Sequence, residues 1–354
     1  MKKELVIQSL NNDLILLRKR LSNPFWGILT LFQYHFPGIW NFIFEKKKQF
    51  DNRDVLKKIN YLKFFTPRLG QLNQYSPIEL KIPYKYLRTR SSGKSLKVAL
   101  VTPSFNQDSY LKRTIESVIK QDYGNFEYII QDACSTDNTK EVLQKINYSN
   151  IKYFVEKDKG QADAINRGFS KTSGEIMAWI NSDDVYLPGT FNYVVNYFNK
   201  HNKVDVLYGN RVLIDENDKE IGRWVLPKHD KKVLCWADFI PQETLFWRRK
   251  IWDRIGGRLN DEFQFALDWE LLLRFQEANA KIVRLPRFLA AFRIHPQQKT
   301  SSQINSLGEE EMNILRKKYL GRNVDYKEIK KIILPYLMKS EVLNKLYKLK
   351  LLRY

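Results

Sequence analysis

Between residues 98 and 180, short apolar runs alternate with segments whose apolar residues recur at helical spacing. The runs at 98–102, 126–131, 151–155 and 176–180 have the length and composition of buried strands. The segments at 107–121, 136–146 and 161–171 are predicted helices, and the first has Leu111, Ile115 and Val118 on one face. This alternation predicts an α/β fold with a parallel, doubly wound sheet, in which ligands bind beyond the carboxyl ends of the strands.

The amino-acid composition limits the kinds of molecule that the chain is expected to bind. The chain has 354 residues, with 60 Lys plus Arg against 39 Asp plus Glu and a formal charge of +21. This excess favours a polyanionic partner: nucleic acid, anionic lipid head groups or a phosphate-rich substrate. Cys134 and Cys235 have no metal-like spacing, so we expect no disulfide framework and a reducing compartment. We expect no secretory signal, and no uninterrupted apolar run reaches the roughly 18 residues of a membrane span.

The two ends of the chain differ from this central region. Residues 1–92 are basic and aromatic, and the dense apolar stretch 25–44 is broken by Pro37-Gly38. It is either an interfacial helix pair on a membrane or a helix pair packed on the main domain. Residues 304–354 have a lysine-rich helical pattern that Pro335 should kink or split, and they either lie on a membrane or dock with the lysines in solvent. We therefore expect a helical extension at 1–92, a main domain at 93–303 and a basic amphipathic tail at 304–354.

The fourth apolar run ends in Asn181-Ser182-Asp183-Asp184. Two adjacent carboxylates at a strand end repel each other, so a positive group is expected beside them. A divalent cation that carries a diphosphate fits, since oxygen ligands with phosphates completing the shell suit Mg²⁺ or Mn²⁺. The alternative is a surface turn, because Asn, Ser and Asp are common turn residues.

Polar clusters also follow the other three runs. Ser104 and Phe105 can contact a ribose and stack on a base, or they form a turn with a buried ring. Asp132 can accept hydrogen bonds from a nucleoside, whereas Asp137 is predicted to cap the following helix. Asp163 and Asn166 lie three residues apart on one helix face and can point into the same crevice.

These segments resemble family 2 glycosyltransferases, which have the nucleotide-diphospho-sugar transferase (GT-A) fold. The resemblance rests on VTPSFNQDSYLKRTIESVIKQDY, YIIQDACSTDNT, DKGQADAINRGF, GEIMAWINSDDVYLPG and LDWELLLR, in the order typical of the family. It covers residues 98 to about 300 and implies a mixed, mainly parallel sheet flanked by helices. The helical extensions at both ends lie outside it.

The resemblance implies a role for each matching position. Asp268 would be the general base, and Asp183 would contact the metal that bridges the diphosphate. Asn181 stands where the family has its first acid, which leaves Asp183 and Asp184 as the ionised ligands. His295 would complete the metal shell or touch the diphosphate, with Arg293 or Lys299 stabilising the leaving group. The residues that would hold the nucleotide sugar are Pro103, Ser104, Phe105, Asp132, Asp163, Asn166, Asn181 and Ser182.

The resemblance thus implies an inverting, metal-assisted transferase that moves a sugar from a nucleotide-diphosphate sugar to a hydroxyl of a glycan or lipid-linked acceptor. For Asp268, the alternative from the residues alone is a helix N-cap. For the chain, the alternatives are a non-catalytic sugar-nucleotide or glycan-binding protein of the same fold and, less favoured, a nucleic-acid-binding protein. We expect a cytoplasmic protein, peripheral at the inner face of the cell membrane if its basic ends bind anionic lipid, with a part in cell-envelope polysaccharide synthesis.

Overall fold

The four apolar runs form four neighbouring parallel strands in the computed structural model of the chain. They are β1 Val98–Ser104, β2 Phe126–Asp132, β3 Ile151–Val155 and β4 Ile176–Trp179. The helices between them are α2 Asp108–Ile119, α3 Thr139–Gln144 and α4 Gln161–Ser170, which follow the short α1 Tyr84–Leu87. β1 pairs with both β2 and β4, and β2 pairs with β3, all in parallel. The α/β fold predicted from the alternation is therefore confirmed.

The rest of the sheet mixes strand directions. It contains β5 Val185–Tyr186, β6 Val206–Ile214, β7 Glu220–Trp224, β8 Phe246–Arg248 and β9 Ile282–Arg293. In the described chain the strand order is β3-β2-β1-β4-β8-β6-β9-β5, with β7 on β6. β8 runs antiparallel to β4 and β6, whereas β6 and β9 are parallel. The result is a mixed, mainly parallel sheet that agrees with the predicted architecture.

Helices cover both faces of this sheet. The remaining helices are α5 Thr190–Lys200, α6 Lys231–Leu234, α7 Arg249–Arg254, α8 Leu267–Glu277, α9 Glu309–Leu320 and α10 Tyr326–Lys348, with a 3-10 turn at Gln242–Thr244 and a π-helical turn at Ile304–Gly308. One apolar cluster joins the sheet to α4, α7 and α8, and a second joins it to α2 and α5. Burial of these two clusters stabilises the sheet and so fixes the positions of the strand ends that carry the polar loops.

The first strand continues one residue past Pro103, where it was expected to end. Pro103 pairs with Gln131 of β2, but β4 pairs only with residues 98–101 of β1. Because β4 does not extend alongside Pro103, the lack of an N–H on this proline costs the sheet no hydrogen bond to β4.

The structure describes residues 67–90, 93–298 and 304–354, which belong to the compact unit Phe65–Tyr354. The predicted apolar stretch 25–44, most of the extension 1–92 and Lys299 lie outside the described residues. Within 67–90, α1 is the one helix, and the segment before it bridges Ile78 to Glu220 of β7. The helical character expected of the extension is thus limited to α1 in its described part.

The C-terminal tail is helical, as predicted, and one face of it packs on the main domain. α10 runs through Pro335 without a break. Tyr336 packs on Phe239 at 4.5 Å between ring centroids, and the Ser340 hydroxyl donates to the Val225 carbonyl at 2.7 Å. Among the described residues, no helix is both long enough and apolar enough to cross a membrane.

Candidate active site

The loops that follow β1 and β2 lie side by side and hold each other in place. Ser104 and Asp132 are register partners at the ends of these strands. The buried Asp132 carboxylate accepts hydrogen bonds from the Ser135 main-chain N–H at 2.9 Å and from its hydroxyl at 2.6 Å. Asn106, at a φ of 53°, accepts from the Thr136 N–H at 2.8 Å. Asp132, a predicted nucleoside ligand, therefore also shapes its own loop.

Three residues at the end of β1 are predicted to hold the nucleoside, and they differ in their surroundings. The Phe105 side chain is 58 % exposed, so the alternative of a buried ring in a turn is wrong. Pro103 and Ser104 are buried within the strand, and the Ser104 hydroxyl has no hydrogen-bond partner among the residues that the structure describes. Phe105 is thus the ring that is free to stack on a planar ligand.

Asp137 has the structural role that the sequence predicted, extended to a second helix. Its carboxylate accepts from the N–H of Thr139, which begins α3, and from the N–H of Asp108, which begins α2, each at 3.0 Å. Burial acts to raise the pKa of Asp137, but these hydrogen bonds favour the ionised carboxylate and lower its pKa overall. One carboxylate therefore fixes the start of two helices beside the site.

The start of α4 brings the third polar loop to the same edge. Gly160 has a φ of 128°, and its N–H donates to Asp158 at 2.9 Å. Asp163 accepts from the Lys159 N–H at 3.0 Å and pairs with Arg167 at 2.9 Å. The amide of Asn166 does not reach freely into the crevice: it bonds the Leu259 N–H at 2.7 Å and the Leu259 carbonyl at 3.0 Å. Asn166 thus ties α4 to the segment before α8.

The side chains of Asp183 and His295 are in direct contact. Asp183 Oδ2 lies 2.9 Å from His295 Nε2, and the Asp183 side chain is 19 % exposed whereas that of His295 is 1 % exposed. The His295 ring lies 4.6 Å from that of Tyr110 on α2. The preceding Asn181 accepts from the Gln161 side chain of α4 at 2.8 Å, so the fourth loop is tied to the third.

The Asp184 carboxyl is bonded to the main chain of β9. It is fully buried, and its Oδ1 accepts from the Arg293 main-chain N–H at 3.0 Å. Burial, reinforced by the charges of Asp183 and Glu243, raises the pKa of Asp184 well above its usual range. This placement disagrees with the prediction of an ionised ligand, because the buried carboxyl bonds the main chain of β9 instead.

Arg293 is likewise unavailable to a leaving group. Its fully buried guanidinium donates to the Asp183 carbonyl at 2.8 Å and the Asp215 carbonyl at 2.9 Å, and it pairs with Asp218 at 2.6 Å. The strand that carries it therefore fixes the backbone of the Asp183 loop. Ser182, which is buried, is fixed from the other side, where its carbonyl accepts from Thr114 of α2 at 2.8 Å.

The residues present fit a divalent metal only in part. Across the described ranges, no group of three or more His, Cys, Asp or Glu side chains converges as a complete metal site. Asp183 Oδ2 and His295 Nε2 lie 2.9 Å apart, close enough for both to contact one ion, and His295 Nδ1 is buried without a partner in the described chain. Two protein ligands are compatible with Mg²⁺ or Mn²⁺ when phosphate oxygens and water complete the shell.

Asp268 lies in the first turn of α8 and is half-buried. Its Oδ1 accepts from the N–H of the next residue, Trp269, at 2.9 Å, but the N-cap of α8 is Ala266, so the alternative that Asp268 is the N-cap is wrong. Burial raises the pKa of Asp268 to about 6, against the Trp269 hydrogen bond and the charge of Arg211. Such a carboxyl is mostly ionised at neutral pH yet is a stronger base than an ordinary aspartate.

A buried ion pair beside Asp268 had no role in the sequence analysis. Arg211 of β6 bonds Glu243 of the 3-10 turn through two contacts, at 2.7 and 2.6 Å. In the same turn, Gln242 donates to the carbonyl of Trp179, the last residue of β4, at 2.9 Å. The turn that carries Glu243 is therefore bonded to the end of β4, and the charges of the pair act on Asp268. The sequence signal of the pair is an arginine within the mainly apolar strand β6, since a buried charge requires a partner.

Asp238 is a second carboxyl near Asp268 that sequence reasoning left without a role. The surrounding protein and the charge of Asp268 raise the pKa of Asp238 well above its usual range, although its side chain is reached by solvent. The Trp269 indole donates to the Leu234 carbonyl at 2.7 Å and brings this segment against α8. No local pattern marks Asp238, because its nearness to Asp268 depends on the tertiary fold.

The chain is similar to known glycosyltransferases. The family model described as glycosyl transferase family 2 matches residues 99–264, which include the four parallel strands and end before Asp268. A Nostoc protein named as an uncharacterized glycosyltransferase is 27 % identical over 237 residues, covering 61 % of this chain and 70 % of the relative. An Escherichia coli protein named UDP-Glc:alpha-D-GlcNAc-diphosphoundecaprenol beta-1,3-glucosyltransferase is 32 % identical over 132 residues, covering 37 % of this chain and 51 % of the relative. An uncharacterized Rickettsia felis glycosyltransferase is matched over 22 % of its length.

Solved structures share the fold. Staphylococcus aureus TarS 1-349 in complex with UDP-GlcNAc has a TM-score of 0.52 and 19 % identity, with 68 % of this chain and 72 % of that chain covered. A Pyrobaculum calidifontis mannosyltransferase in complex with GDP-Man and Mn²⁺ has a TM-score of 0.51 and 14 % identity, with 80 % of each chain covered. Both likenesses support the mixed sheet as the common architecture.

Proposed function

Since the chain belongs to glycosyltransferase family 2, we propose that it is an inverting transferase that moves a sugar from a nucleotide-diphosphate sugar to an acceptor hydroxyl. The observation that carries this proposal is Asp268, a half-buried carboxyl whose pKa is raised to about 6. It lies near the Arg211–Glu243 pair, and the turn that carries Glu243 is bonded to the end of β4. A base of suitable pKa thus lies near the strand ends where a donor would bind.

The donor would lie across the ends of β1, β2 and β4. Phe105 offers an exposed ring for the base, and Asp132 offers a carboxylate for the nucleoside. Asp163 and Asn181 would line the crevice next to the diphosphate. The titles of the two solved structures, which name UDP-GlcNAc and GDP-Man, support a nucleotide-sugar donor.

Asp183 and His295 would hold Mg²⁺ or Mn²⁺ when the donor is bound. The ion would act as a Lewis acid that neutralises charge on the leaving diphosphate. The Mn²⁺ named with the archaeal mannosyltransferase supports this assignment. Within the chain, Arg293 holds the Asp183 carbonyl and thereby orients the loop.

Asp268 would accept the proton of the acceptor hydroxyl as that oxygen attacks the anomeric carbon. The new C–O bond forms on the face opposite the bond to the diphosphate, so the anomeric configuration inverts. The proton passes to the Asp268 carboxylate, and the bonding electrons leave with the nucleoside diphosphate. The surrounding protein and the charge of Asp268 raise the pKa of the nearby Asp238, so ionisation of both carboxyls together is disfavoured.

The acceptor class is a glycan or a lipid-linked glycan. The name of the E. coli relative, which specifies a diphosphoundecaprenol acceptor, supports the lipid-linked form. The formal charge of +21 supports association with an anionic membrane surface, at the cytoplasmic face where nucleotide sugars are used. Both assignments place the enzyme in cell-envelope polysaccharide synthesis.

The proposal is tested first by donor binding and then by Asp268→Asn. A thermal-shift panel of UDP-, GDP- and dTDP-sugars with Mn²⁺ or with EDTA should show a metal-dependent rise of the melting temperature for one nucleotide. With that donor and a GlcNAc-diphosphate lipid, Asp268→Asn should lose at least about a hundredfold in kcat, while donor affinity stays unchanged. The matched control is Asp261→Asn, an exposed carboxylate paired with Arg258. Full activity of Asp268→Asn would overturn the assignment of the base, and a chain that binds donors without transfer would be a binding protein.

A further inference from the structure

A glutamate of the C-terminal region binds the segment that leads into α8. Glu311, in the first turn of α9, is 5 % exposed. Its carboxylate accepts from three successive main-chain N–H groups: Gln264 at 2.8 Å, Phe265 at 2.9 Å and Ala266 at 2.8 Å. Asp268 follows two residues later. A side chain far along the sequence therefore holds the main chain that leads into α8, whose own N-cap residue, Ala266, makes no side-chain cap.

These hydrogen bonds are of a strong and directional kind. A carboxylate that accepts from main-chain N–H groups forms charge-assisted bonds, which are shorter and stronger than neutral ones. A negative group at a helix N-terminus is also favoured by the helix dipole. Since both Glu311 oxygens are used, the carboxylate fixes the direction as well as the position of the segment.

Other contacts of the same region bind this segment on both sides of Asp268. Gly308 packs so closely on the Phe265 ring that an added Cβ would lie 2.9 Å from it. The Arg316 guanidinium lies 5.4 Å from the Trp269 ring centroid and donates to the Trp236 carbonyl at 2.9 Å. α9 therefore contacts the residues before and after Asp268.

The segment also contacts the donor side of the cleft. A Cβ at Gly160 would lie 3.2 Å from the Gln264 side-chain oxygen, so this side chain lies against the loop that begins α4. Glu311 holds the main chain of the same Gln264. A shift of the segment would thus displace Asp268 and the start of α4, whose first turn carries Asp163.

We propose that Glu311 is a positioning residue for transfer, which holds Asp268 at the distance from the donor that proton removal requires. This inference rests on the proposed function. It makes residues 304–320 a working part of the active site, although they lie beyond the residues matched by the family model. Near-attack geometry is sensitive to displacements of about 1 Å, which can cost about a hundredfold in rate.

The test compares Glu311→Gln with Glu310→Gln, an exposed neighbour on the same helix. An amide retains one acceptor oxygen, so the helix can still pack while at least one of the three bonds is lost. We expect kcat to fall about 10- to 100-fold in Glu311→Gln with donor affinity within about twofold of wild type. Amide hydrogen exchange should become faster at residues 264–270, and Glu310→Gln should match wild type in every measurement.

A second variant keeps the test decisive if Glu311→Gln folds poorly. Gly308→Ala presses on the Phe265 ring from another direction and should also lower kcat without weakening donor binding. Wild-type kcat in a Glu311→Gln or Gly308→Ala protein with faster exchange at 264–270 would overturn the positioning role alone. A wild-type chain that binds the donor but transfers nothing would overturn the proposed function itself, and the positioning role with it.

Discussion

The ionisation of Asp268 sets the expected pH dependence of transfer. Burial raises its pKa to about 6, and only the ionised carboxylate can accept a proton. We therefore expect kcat to rise with pH, by about tenfold per unit below pH 6, and to level off above it. The measurement is kcat against pH at saturating donor and acceptor, with donor affinity followed over the same range. A profile that is flat through the acidic range would argue against Asp268 as the base.

His295 provides a test of the metal assignment that is independent of turnover. It shares its Nε2 contact with Asp183, and its ring is held by Tyr110. Replacement by Gln should lower the affinity for Mn²⁺ in the presence of the bound nucleotide by at least about tenfold. Titration calorimetry measures this affinity directly. His201→Gln, which removes an exposed ring packed at a tilt against Tyr197, is the control and should bind Mn²⁺ as wild type does. Equal affinities in the two variants would exclude His295 as a ligand.

At the scale of elements, α4 must lie very close to β1 to place its polar first turn. A Cβ added to Gly168 would lie 2.5 Å from a Val101 methyl group. Gly168→Ala should therefore destabilise the fold by about 1–3 kcal/mol through overpacking, and it should weaken donor binding as α4 moves outward. Chemical denaturation measures the first effect and the thermal-shift panel the second. Gly124→Ala, where nothing lies within 4 Å of the added Cβ, should change neither. A stable Gly168→Ala variant would show that the helix has room to adjust.

The elements also show what sequence reasoning can and cannot find. Strand–helix alternation predicted β1 to β4 and the edge where their loops meet, because periodicity and burial are local properties. Residue type alone did not separate Asp183, which faces His295, from Asp184, which faces β9. That difference depends on the strand packed beneath the loop. Glu311 and Asp238 were missed for the same reason, since each acts on a segment distant in the sequence.

For the whole molecule, the packing of α10 restricts how the chain can meet a membrane. Tyr336 and Ser340 lie on a face buried against the main domain, so this helix cannot lay that face on lipid. After α10, Leu352 and Tyr354 turn inward, whereas Leu349 and Leu351 are 69 % and 68 % exposed. These leucines are flanked by Lys348 and Lys350, a pattern that suits an anionic interface. The membrane contact is therefore expected at the end of the tail.

Changes at these leucines distinguish insertion of the tail into the membrane interface from attraction of the chain by charge alone. Leu349→Ser with Leu351→Ser should weaken binding to phosphatidylglycerol-containing vesicles by about tenfold or more, since each buried leucine contributes about 1.5–3 kcal/mol. Ile314→Ser, which removes an exposed apolar side chain on α9, should leave binding unchanged. Sedimentation with vesicles at low and high salt measures both contributions, because screening weakens only the electrostatic part. Binding that falls with salt but not with the leucine changes would mean that the charge of +21 attracts the chain to the surface while its tail stays in water.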